Sequence, residues 1–215
     1  MKLQIALDRI NLEVAVTLAH QLRDYADIIE VGTSLIKEYG LLSVRMLKDA
    51  AKGTSILADL KTMDEGEYEF LSAYDSKADL ATVMGVAAPS TVAACYRVSD
   101  KMEKSLVIDL LETSEERISA LTSFQSALFC VHLPKDGGNL DIETKVHDFF
   151  KCHPSIEHVA VAGGVRLEHV PLLRKLGVEV CIVGSQIIGS DNPIEAAKEF
   201  YHAVHHDNIN VDGGE

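Results

Sequence analysis

Ser55-Ile56-Leu57-Ala58-Asp59-Leu60-Lys61-Thr62-Met63-Asp64 runs from a small, apolar stretch straight into the charges Asp59, Lys61 and Asp64. The first part reads as a buried β-strand, and the charges stand where that strand should end. Asp59 and Lys61 are two apart, so on an extended chain their side chains share one face while Leu60 points away. Desolvating a carboxylate and an ammonium together costs free energy that a hydrophobic pair avoids, so the placement points to a site rather than to a stability device.

Apolar runs of similar length recur along the chain at 3–7, 28–31, 80–86, 105–111, 127–133, 158–162 and 180–183, which with 55–60 makes eight strands. Between them lie helical stripes such as Leu12, Ala15, Val16, Ala19 and Leu22, or Ile194, Ala197, Phe200 and Tyr201. Asn11, Ser114 and Pro193 stand at helix starts. Eight strand-helix units with continuously apolar strands predict an α/β chain folded as a (β/α)8 TIM barrel. A doubly wound open sheet is the rival, but the first strand leads into Asp8-Arg9-Ile10-Asn11 without the glycine-rich dinucleotide turn. One barrel domain over 1–207 and a polar, frayed tail over 208–215 complete the expected organisation.

The 215 residues include 33 acidic and 20 basic side chains, a net charge of −13, which opposes binding to nucleic acid or to anionic membranes. No apolar run has the length of a membrane span and the start does not read as a signal peptide, so a cytoplasmic protein is expected. Cys95, Cys130, Cys152 and Cys181 lie far apart, without a Cys-x-x-Cys pair, and read as reduced thiols rather than as a zinc site.

Ionisable residues close five of the eight runs: Asp8, Glu30, Asp59 with Lys61, Asp109 and His132. In a barrel these ends converge on one mouth. Four carboxylates with one lysine leave negative charge to be compensated, and an all-oxygen donor set favours a hard cation, Mg²⁺, held by Glu30 and Asp59 on adjacent strands. Asp64 has two readings, a site residue or the cap of the next helix with Glu67 three positions on. His132 is either a core histidine or, from its strand-end position, a base for proton abstraction beside a carbonyl. Gly163 and Gly164 after the seventh strand, and Gly184 and Ser185 after the eighth, form the usual phosphate seat of a barrel. The expected substrate is a small phosphorylated sugar.

Six segments carry a resemblance: Leu3-Gln4-Ile5-Ala6-Leu7-Asp8, Ile29-Glu30-Val31-Gly32-Thr33, Ala58 to Asp64, Thr82-Val83-Met84-Gly85-Val86-Ala87, Val159 to Gly164 and Ile182-Val183-Gly184-Ser185. The chain resembles the orotidine 5′-monophosphate decarboxylase suprafamily, and within it the 3-hexulose-6-phosphate synthases. That resemblance implies Mg²⁺ on Glu30 and Asp59, with Lys61 and Asp109 at the enediolate end and His132 moving the proton. It also implies a homodimer with shared active sites, Asp64 reaching into the neighbouring one. The implied reaction is addition of formaldehyde to ribulose 5-phosphate. Glu30 separates the chain from orotidine monophosphate decarboxylases, which carry a lysine there and work without metal. Asp8 and Lys135 are expected among the substrate-binding residues. After His132 the chain reads Leu133-Pro134-Lys135-Asp136-Gly137-Gly138, where the synthases usually have Thr-Gly-x-Asp and a longer loop. Lys135 stands where 3-keto-L-gulonate-6-phosphate decarboxylases place an arginine, which makes that carboxy-lyase activity the alternative. A non-catalytic sugar-phosphate-binding barrel is the third reading.

Overall fold

A computed structural model describes residues 1–137 and 141–205. Gly138 and the tail expected at 208–215 lie outside the described residues. The strands are β1 (Lys2–Leu7), β2 (Ile28–Val31), β3 (Ser55–Thr62), β4 (Leu80–Met84), β5 (Ser105–Asp109), β6 (Leu128–His132), β7 (Val159–Ala162) and β8 (Val180–Val183). All neighbours pair in parallel, and β8 returns to β1, closing the sheet into a barrel in strict sequence order. The expected (β/α)8 architecture is therefore the one found.

The helices of the outer layer are α1 (Leu12–Leu22), α2 (Thr33–Tyr39), α3 (Leu42–Ala50), α4 (Gly66–Asp75), α5 (Pro89–Lys101), α6 (Glu115–Leu121), α7 (Ile142–Cys152), α8 (Val170–Lys175), α9 (Ser185–Ile188) and α10 (Pro193–His205). Two crossings carry a pair of helices rather than one: α2 with α3 before β3, and α9 with α10 after β8. Gly40, at φ 62°, ends α2 and permits the first of these breaks. Asn11 caps α1 by accepting from Val14 N–H, and Ser114 caps α6 by accepting from Arg117 N–H. None of the described helices is long and apolar enough to cross a membrane.

Two apolar cores follow from strand alternation. The larger lies between sheet and helices and holds Ile5, Leu7, Ile29, Phe70 and Phe129. The smaller fills the barrel interior with Ile28, Leu57, Leu80, Val107, Leu128 and Val180, and with the short side chains Ala160 and Ala162. Burying these faces is what holds the barrel closed, at about 25 cal/mol per Å² of apolar surface removed from water. Toward the C-terminal ends of the strands the same inward alternation turns polar, passing through Glu30, Asp59, Thr82, Asp109 and His132. The floor of the barrel is thus largely apolar and its mouth is charged.

β3 departs from simple extension at its end. Ala58 pairs with Ala81 and Thr62 with Val83, so Asp59, Leu60 and Lys61 bulge opposite the single residue Thr82. Lys61 takes φ 51°, and its N–H donates to Thr82 Oγ1 at 2.9 Å instead of to the ladder. Asp59 and Lys61 share one space as expected, but a bulge with a left-handed lysine brings this about, not an extended chain.

Candidate active site

The bulge sets Lys61 at the centre of a charge network. Its Nζ is 2.6 Å from Asp109 Oδ2 on β5 and 3.2 Å from Asp59 Oδ2. Asp59 and Asp109 are 7% and 2% exposed, so neither charge is screened by bulk water. Thr82 Oγ1 donates to Asp59 Oδ1 at 2.8 Å, and Thr33 Oγ1, at the head of α2, donates to Asp59 Oδ2 at 2.7 Å. Leu111 N–H donates to Asp109 Oδ1, and His132 Nδ1 lies 2.9 Å from Asp109 Oδ2. An ionised aspartate can only accept, so His132 Nδ1 is the donor in this contact and Nε2 is the ring nitrogen left over.

The electrostatics sort these groups into roles. Burial alone would raise the Asp109 carboxyl, but the His132 hydrogen bond and the Lys61 charge outweigh it and hold the group at about 2. Burial would lower the Lys61 ammonium, yet the charges of Asp59 and Asp109 raise it, so Lys61 is a fixed cation and not a base. Glu30 behaves in the opposite way. Burial and the Asp59 charge push it up to about 8, against the hydrogen bond from Gln4 and the charge of Lys61. A carboxyl that resists ionising beside another carboxylate is one that a cation would stabilise.

Glu30 and Asp59 stand on adjacent strands and offer oxygen donors only. Among the described residues no group of three or more His, Cys, Asp and Glu is arranged to hold a metal ion. Two carboxylates offering oxygen alone would suit a hard divalent cation better than zinc.

Above this cluster opens a cavity of about 1190 Å³, lined by Asp8, Glu30, Asp59, Lys61, Asp109 and His132, and at its other side by Gly163, Gly164, Gly184 and Ser185. Asp8 lies one residue beyond β1 and accepts from the N–H and hydroxyl of Ser34. Gly163 and Gly164 take φ 92° and 78°, and a side chain on Gly163 would collide with the Leu133 carbonyl. Ser185 opens the short helix α9, whose Ile187 and Ile188 N–H groups donate to the Gly184 carbonyl. Lys135 is exposed in a 3₁₀ turn at Lys135–Gly137 and lines the same cavity, as do Arg166 and His169.

Asp64 is the one expected site residue that the chain does not bring here. It is exposed and does not line the cavity. Its capping reading fails: α4 starts at Gly66 with Glu65, at φ 53°, in the cap position and without a side-chain cap. Gln4, Thr33 and Thr82 were not anticipated. The signal for Gln4 and Thr82 was a polar residue inside an apolar strand at an inward position, in Leu3-Gln4-Ile5-Ala6-Leu7 and Leu80-Ala81-Thr82-Val83-Met84.

A family model described as orotidine 5′-phosphate decarboxylase / HUMPS family matches residues 1–200. The 3-hexulose-6-phosphate synthase of Mycobacterium gastri is 34% identical over 209 residues, covering 95% of this chain and 100% of that protein. A crystal structure of a 3-hexulose-6-phosphate synthase superposes with a TM-score of 0.86 at 34% identity, covering 95% of this chain and 100% of that one. The 3-keto-L-gulonate-6-phosphate decarboxylase of Vibrio cholerae superposes with a TM-score of 0.83 at 24% identity, over 94% of this chain and 96% of that one, a likeness of fold alone.

Proposed function

The chain belongs to the orotidine 5′-phosphate decarboxylase / HUMPS family, and from that premise we propose that it is a lyase of the aldehyde-lyase type that joins formaldehyde to ribulose 5-phosphate. The single observation that carries this reading is the Asp109 bridge between Lys61 and His132, which sets a fixed cation and an imidazole on one carboxylate. That pairing suits removal of a proton next to a carbonyl, where a base takes the proton as negative charge builds on oxygen.

His132 Nε2 takes the C1 proton of ribulose 5-phosphate, and Asp109 keeps the ring in the required tautomer. The electron pair moves to give the 1,2-enediolate, whose oxygen charge Lys61 faces. C1 then attacks the formaldehyde carbon. A carbon–carbon bond forms, the aldehyde oxygen takes up a proton, and 3-hexulose 6-phosphate results. Glu30 and Asp59 would hold Mg²⁺, which supplies Lewis-acid stabilisation of enediolate charge when bound. Gly163, Gly164, Gly184 and Ser185 seat the phosphate through backbone N–H groups, and Asp8 orients the sugar end. Asp64 belongs in this reading to the neighbouring site of a homodimer, consistent with the exposure of Met63 and Tyr68 on either side of it. A phosphorylated substrate accords with the cytoplasmic location expected from the sequence.

Incubation with ribulose 5-phosphate, Mg²⁺ and formaldehyde should consume formaldehyde and lose that activity on chelation. Consumption no faster than that of Asp59→Ala sinks the proposal. The presence of Lys135 in the cavity wall favours one second reading, decarboxylation of a keto-hexonate 6-phosphate. It requires carbon dioxide release that disappears in Lys135→Ala.

A further inference from the structure

Gln4 is a neutral amide on the floor of the barrel, 1% exposed, with apolar Ile28 and Ile182 as its partners on the two neighbouring strands. Its Nε2 donates to Glu30 Oε2 at 2.6 Å. Its Oε1 is buried and has no hydrogen-bond partner among the described residues. A side chain that merely filled this space would be apolar like its neighbours in the inner core, because an orphaned acceptor is a net cost in such surroundings. Once Glu30 is ionised, as a cation ligand must be, the amide cannot relieve the cost by turning over, since its oxygen would then face a carboxylate that only accepts. The orientation seen is the one that serves an ionised Glu30.

Register explains the contact. Glu30 pairs with Ala6, one inward step above Gln4 on β1, and the short Ala6 side chain leaves room for Gln4 to reach Glu30 from the floor. Among the described residues Gln4 is the sole hydrogen-bond donor to Glu30, so it alone fixes which carboxylate oxygen is taken from below. We propose that Gln4 is a positioning residue: by holding Glu30 Oε2 from the barrel floor it orients the carboxylate so that its other oxygen faces the cavity for a divalent cation. The inference rests on the reading of Glu30 and Asp59 as the metal ligands, and it concerns the group that orients one of them.

The test is binding of Mn²⁺ to the full chain without substrate, followed by the resonance signal of the free ion, beside thermal melting of the metal-free protein. In Gln4→Met, which keeps length and removes both the donor and the orphaned acceptor, affinity falls about tenfold or more. The metal-free melting temperature holds or rises, and excess Mn²⁺ restores turnover. Affinity within about twofold of the parent overturns the positioning role, as does a loss that simply follows a lower melting temperature. Gln4→Asn keeps the amide but withdraws it by one methylene. It loses affinity likewise, and unchanged affinity in folded Gln4→Asn also overturns the role. Glu30→Gln separates the two layers of inference: if it abolishes binding while Gln4→Met binds normally, only the positioning role falls, and if it binds as the parent does, both fall.

Discussion

Lys61 Nζ and Asp109 Oδ2 meet at 2.6 Å across 48 residues of chain. The contact joins the end of β3 to the end of β5, skipping β4, and only the bulge opposite Thr82 lets the lysine reach that far over its neighbour. Because Asp109 also takes the His132 hydrogen bond on the same oxygen, a change at any of the three residues alters the other two.

Removing the imidazole should stop the reaction at its first step. His132→Gln is expected to keep its fold and to lower kcat by about 10²- to 10⁴-fold. Exchange of the C1 proton of ribulose 5-phosphate into D₂O, followed by proton resonance without formaldehyde, isolates that step. Exchange at the parent rate would show that His132 is not the base.

Lys61→Met removes the fixed cation between two buried carboxylates. The carboxyls then face each other without compensation and rise, so turnover should fall by about 10²- to 10³-fold while substrate binding falls less. Steady-state kinetics with a circular dichroism control distinguish this from unfolding. Turnover within a factor of about three of the parent contradicts a charge-stabilising role.

Gly163→Ala places a side chain against the Leu133 carbonyl on a backbone at φ 92°. Strain at such a position costs about 1–3 kcal/mol, and relieving it shifts the turn that lines the cavity. A lower denaturation midpoint together with a raised KM for the sugar phosphate is expected. An unchanged midpoint would mean that the turn relaxes freely.

Asp79 gives the fold a pH dependence separate from the site. It accepts from Lys48 Nζ at 2.6 Å, Lys104 Nζ at 2.9 Å and Ile56 N–H at 2.9 Å. Burial would raise its carboxyl, but these donors prevail and hold it below its ordinary value. The folded state is therefore favoured above the unfolded-state value of about 4, and the gain is lost as pH falls through the lower folded value. Asp79→Asn should cost about 1–2 kcal/mol near pH 7, with the difference from the parent shrinking in acid, as read from urea midpoints against pH. A difference that stays constant down to pH 2 would assign the loss to packing.

Much of the barrel was legible because its signal is local. The eight apolar runs coincide with the strands to within a few residues at their ends, and Asn11, Ser114 and Pro193 mark helix starts. The ends of β3, β4 and β5 were misjudged: β3 runs on to Thr62, and β4 and β5 stop at Met84 and Asp109.

The sequence by itself determined the strand order, the inward alternation and the residue types at the barrel mouth, because periodicity and strand-end charges depend only on neighbours along the chain. Tertiary structure decided which groups touch. That Asp109 rather than Asp59 takes the shorter bond to Lys61, that His132 shows its Nε2, and that Gln4 supports Glu30 all depend on register between strands. It also decided that Asp64 is exposed and off the lining of its own cavity, ahead of the left-handed Glu65 that precedes α4. Register and bulges arise from hydrogen bonding between segments distant in sequence, and that is why no local pattern announces them.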